Sequence, residues 1–81
     1  MKAGAVKRLA EAHGVEELEA AAEALIEREE DVLGIDGDGA GEKLTHVMLA
    51  IRVKRRVVSG EDPKEAFRAE MASVRAVLSN D

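Results

Sequence analysis

Apolar residues along this chain recur every three or four positions in four stretches, and nowhere do they alternate long enough to build a strand. The pattern predicts an all-α domain of four helices. Helix 1 is expected over about Lys2–His13, with Val6, Leu9, Ala10 and His13 on one stripe and Gly14 ending it as a left-handed C′ residue. Helix 2 is expected over about Val15–Glu30, where Val15, Leu18, Ala22, Leu25 and Ile26 share one side. The sharpest start is "DPKE" at 62–65: Asp62 is placed as N-cap, Pro63 at the first helical position, and Glu65 as the second half of a capping box. Helix 4 then presents Phe67, Met71, Val74 and Leu78 inward and Arg68 and Arg75 outward. Ser59 and Gly60 close the preceding helix, so the short turn makes helices 3 and 4 an antiparallel hairpin.

Helix 3, about Glu42–Val58, carries two apolar faces. Leu44, Val47, Met48, Ile51 and Val58 lie on one side; Leu49, Ala50, Val53 and Val57 lie nearly opposite, with His46 among them. Both faces need cover. Helices 2 and 4 suit the first, whereas helix 1 is short and rich in alanine, and a second copy of the chain is expected to complete the second. The expected product is a four-helix, bundle-like single domain spanning 1–81, completed as a homodimer through His46, Leu49, Ala50, Val53 and Val57. On that reading Val53→Glu splits the pair.

Composition strengthens the case for self-association. The chain has 81 residues, no cysteine and a single aromatic residue, Phe67, so neither a disulfide nor a thiolate zinc site supplements a small core. A net charge of -5 argues against nucleic acid and against an anionic membrane surface, both of which demand basic excess. The longest apolar run, "VMLAI" at 47–51, is far too short to span a bilayer, and no signal-peptide core opens the chain, so a cytoplasmic protein is expected.

Candidate chemistry centres on "GIDGDGAGEKLTH" at 34–46. Counted from Asp36 as an EF-hand calcium loop, Asp36, Asp38 and Gly41 match, but the fifth, eighth and twelfth positions are Ala40, Lys43 and Val47. The bidentate carboxylate is missing. A narrower metal site remains, with Glu42 and His46 one helical turn apart and Asp36 or Asp38 folding back toward them. The plainer alternative makes Glu42 a complement to the helix dipole and His46 a locally hydrogen-bonded interface residue. Glu16, Glu19, Glu23, Glu27 and Glu30 form an acidic ridge on helix 2, and Arg52 with "KRR" at 54–56 forms a basic counterpart, expected to pair with it within the bundle or across the dimer. For catalysis only Thr45, Ser59, Ser73 and Ser79 offer hydroxyls, and His13 and His46 are the possible bases, with no orienting partner assignable. "GDGAG" lacks the lysine and strand of a phosphate loop.

"VEELEAAAEAL" at 15–25, the acidic loop and "GEKLTHVMLAI" at 41–51 together resemble a group of small, all-helical bacterial proteins of unknown function. The resemblance covers about half the chain and implies a helical domain, with no activity or binding residues to carry over. The functional expectation is a homo-oligomeric interaction or regulatory module without catalysis or cofactor, with a further, unidentified protein partner as an additional expectation. The competing class is a metal- or small-ligand-binding protein using Asp36, Asp38, Glu42 and His46.

Overall fold

The computed structural model describes residues 2–79, with side chains to Arg75. The chain is an all-α single domain of four helices: α1 (Ala3–Ala12), α2 (Val15–Arg28), α3 (Gly39–Val58) and α4 (Pro63–Ser79). It is flat, 32 × 32 × 18 Å. Each of the other helices packs against α3.

Local signals place the helix ends well where the chemistry is strongest. Asp62 accepts the N–H groups of Lys64 (3.1 Å) and Glu65 (3.3 Å), capping α4 ahead of Pro63. At the end of α3, Gly60 has φ 112° and donates to the Val57 carbonyl, while Glu61 donates to that of Arg56. This double closure is a Schellman motif, and it turns the chain into the α3–α4 hairpin. Leu78, expected on the α4 stripe, lies outside the described side chains.

Three boundaries differ from the sequence expectation. Gly14 is extended (φ -83°) and serves as the N-cap of α2, so α1 stops at Ala12 without a left-handed glycine. The left-handed residue falls one helix later, at Glu29 (φ 51°), which ends α2. Helix α3 begins at Gly39, three residues before Glu42, because the loop preceding it is held tightly enough to start the helix on small residues.

The larger correction concerns α3. Leu49, Ala50 and Val53 are buried within the single chain, Val53 only 3% exposed, and Val57 is partly buried against the same core. The face assigned to a partner is therefore core. Helix α1 packs on α3, and its Ala5, Val6, Leu9 and Ala10 are buried, as is Ala50 of α3. Less apolar area per residue is offset by closer packing. The opposite face is the incomplete one, for although Val47 and Ile51 are buried, Met48 and Val58 are exposed. On α2, Leu18, Ala22 and Leu25 are buried as expected, and Ile26 is not.

Two outcomes follow. Val53→Glu places an unpaired carboxylate in the core, at about 3–5 kcal/mol, comparable with the whole stability of so small a domain; circular dichroism should show loss of helix, and a folded variant would contradict this packing. Glu29→Gly relieves a left-handed glutamate and should raise stability by about 0.5–1 kcal/mol after the added chain entropy of glycine is set against it, read as a higher urea midpoint.

Candidate functional site

His46 was expected at both a dimer contact and a metal site, and its surroundings decide between the two. The ring is 0% exposed. Lys2 N–H donates to Nε2 at 2.9 Å, and Nδ1 donates to the Asp36 carbonyl at 2.7 Å. These partners require a neutral ring with its proton on Nδ1. Both nitrogens are thus engaged, and a metal taking Nε2 would release the bond that holds the start of α1. Glu42 Oε1 stands 4.0 Å from Nε2. The remaining expected ligands turn elsewhere: the Asp36 carboxylate meets Arg8 at 2.8 Å, and Asp38 is exposed at the head of α3 with no side-chain capping bond. Among the described residues no three metal-ligating side chains converge. The structure gathers Glu42, His46 and the backbone of Asp36, and disperses the carboxylates the metal reading needed. His46 acts as an internal clamp that ties the start of α1 and the Asp36 loop to α3.

The acidic loop is organised instead by Asp31, which sequence reasoning passed over. Its carboxylate accepts the N–H groups of Leu33 (3.2 Å) and Ile35 (2.7 Å) and meets Lys43 Nζ at 3.1 Å. Burial pushes the Asp31 carboxyl up, but the bonds from Lys43, Ile35 and Leu33 outweigh it and hold the group below its ordinary value. An aspartate two residues before its backbone donor is a legible turn signal. The lysine partner was not legible. Gly37 matters here too: at φ 145° it lies against Lys43, where a Cβ would come within 3.3 Å of both side chain and backbone.

The groups considered for catalysis are occupied by the fold. Thr45 Oγ1 donates to the Gly41 carbonyl and Ser59 Oγ to that of Arg56. His13 Nδ1 lies 3.0 Å from Glu17 Oε1, off the axis of a directed hydrogen bond. It borders a cleft of about 350 Å³ between α1 and residues 33–36, floored by Ala5, Leu9 and Ile35 and rimmed by Arg8 and Asp36. Ser73 is exposed, and the Ser79 side chain is outside those described.

The basic run holds α4. Glu70, 3% exposed, receives Arg56 Nε and contacts Arg52 Nε at 2.8 Å, so one buried carboxylate joins two arginines of α3 to α4. Arg56 also reaches Glu61 at 3.1 Å. Arg55 turns the other way, to Glu19 of the acidic ridge at 3.0 Å.

Two ion pairs, Glu19–Arg55 and Asp31–Lys43, fix the register of α2 against α3 and make them antiparallel. Two turns along α2 from Glu19, and two turns back along α3 from Arg55, stand Ile26 and Met48. They occupy one level of one outer face, 65% and 48% exposed. Partly buried Leu44 lies one turn before Met48 on α3. In the sequence both residues look like core, because periodicity marks an apolar stripe without showing where cover ends.

A family model described as a family of unknown function (DUF6952) matches residues 1–79. No curated protein and no solved structure matches the chain. Among the described residues, no helix is long and apolar enough to cross a membrane.

Because the folded Asp31 carboxyl is depressed, its contribution is complete above the unfolded value near 3.9 and is lost as pH falls through the folded value. Asp31→Asn should therefore cost about 1–2 kcal/mol at pH 7, and the gap from wild type should close below about pH 4. Urea melts across that range decide it; a gap that persists at low pH refutes the assignment.

Proposed function

For a chain that belongs to this family of unknown function, we propose that it works as a non-catalytic, homo-oligomeric helical interaction module, its working surface being the outer face shared by α2 and α3. The observation that carries the reading is the exposure of Ile26 and Met48 side by side on adjacent helices. Single exposed apolar residues are ordinary, whereas Ile26 and Met48 at one level, with Leu44 a turn from Met48, form a group that favours association. The absence of catalysis is supported by what the polar groups already do: His46 has both nitrogens in structural bonds, and Thr45 and Ser59 serve helix backbone. The interface expected from sequence, around Leu49, Ala50 and Val53, is replaced here by the opposite side of α3.

Light scattering at micromolar concentration should give a multiple of the 8.7 kDa chain mass. Met48→Glu should return the protein to a monomer with its helix content intact, since Met48 contributes little to the core of one chain. A wild-type mass equal to one chain sinks the reading.

A further inference from the structure

The outer face carries charge as well as apolar groups, and the two signs are sorted by helix. Glu19, Glu23 and Glu27 are exposed on α2; Arg52 and Arg55 are exposed on α3. A surface with an acidic stripe beside a basic one, both running along the same axis, is complementary to itself under one rotation. That rotation is a two-fold whose axis lies in the contact plane, parallel to the helices. It lays α3 of one chain over α2 of the other and preserves the level of every residue along the axis. Levels are set by the intrachain register, in which Glu19 stands beside Arg55 and Ile26 beside Met48.

We infer that the occupant of this face is a second copy of the chain, docked about that two-fold so that Met48 covers the partner's Ile26 and Arg55 meets the partner's Glu19. The inference rests on the reading of the protein as a homo-oligomer and adds its geometry. A two-fold about an in-plane axis perpendicular to the helices would instead lay α2 over α2 and set one row of exposed glutamates against the other. In the parallel arrangement Met48 meets Ile26 and the guanidinium of Arg55 meets the carboxylate of Glu19. Arg52 follows the same rule, reaching the level of the partner's Glu23 while its Nε keeps its contact to Glu70. The contact is isologous, so each favourable pair occurs twice.

The chain has no cysteine, which makes cross-linking clean. Ile26→Cys and Met48→Cys are each purified, then oxidised singly and as an equal mixture, and the products resolved without reductant. The expected result is a covalent dimer several-fold more abundant in the mixture than with either variant alone, because 26 faces 48 across the axis and neither faces itself. Charge reversal gives an independent arm: Glu19→Arg and Arg55→Glu should each weaken the dimer, and mixing the two should restore it. A wild-type protein that is dimeric, yet cross-links as well through Met48→Cys alone, overturns this geometry and leaves the homo-oligomer standing. A wild-type monomer overturns both.

Discussion

A 20-residue helix with apolar side chains on nearly opposite faces has to be covered around most of its circumference, and in this chain three different helices share the task. Helix α2 takes the side of Val47 and Ile51. Helix α4 is drawn in by Glu70 against Arg52 and Arg56. Helix α1, the shortest, contributes Ala5, Val6, Leu9 and Ala10 to the buried core beside α3. With three helices arranged around one, the remaining uncovered arc of α3 is narrow and lies beside α2.

Polar groups in the interior serve this arrangement. His46 ties the first turn of α1 and the loop at Asp36 to the middle of α3, so one ring joins three parts of the chain. Asp31 does the same for the loop, collecting two backbone N–H groups and the Lys43 ammonium. A loop spelled with aspartate and glycine therefore resembles a cation site for a physical reason. Its carboxylates do neutralise cations, but these are Arg8 and Lys43 of the chain itself. Carboxylates spent on internal partners are poorly placed to converge on a metal.

The outer face of α2 and α3 is what the packing leaves over. With α1 and α4 on the flanks of α3 that hold Ala50 and Leu49, Met48 is left exposed, as is Ile26 at the same level of α2. Charges follow the same division, because α2 is acidic and the second half of α3 basic, and the fold lays the two helices side by side and antiparallel. Association of the kind proposed thus arises from the order in which helices claim the faces of α3.

Much of the fold was legible in sequence because its signals act over a few residues. Asp62 and Pro63 start α4, Gly60 ends α3, and the stripes of Leu18, Ala22 and Leu25 or of Val6 and Leu9 need only helical spacing to be recognised. The tertiary structure alone decided which apolar face of α3 became core. Periodicity reports that a face is apolar and says nothing of its partner, and transfer area alone undervalues an alanine-rich helix that gains by proximity. It alone decided His46 as well, whose partner Lys2 lies 44 residues away. A lone histidine near carboxylates reads equally as ligand, interface or clamp until distant backbone groups take its two nitrogens. The left-handed Glu29 escaped for a related reason, since a residue with no local preference for that conformation adopts it only when the surrounding packing imposes it.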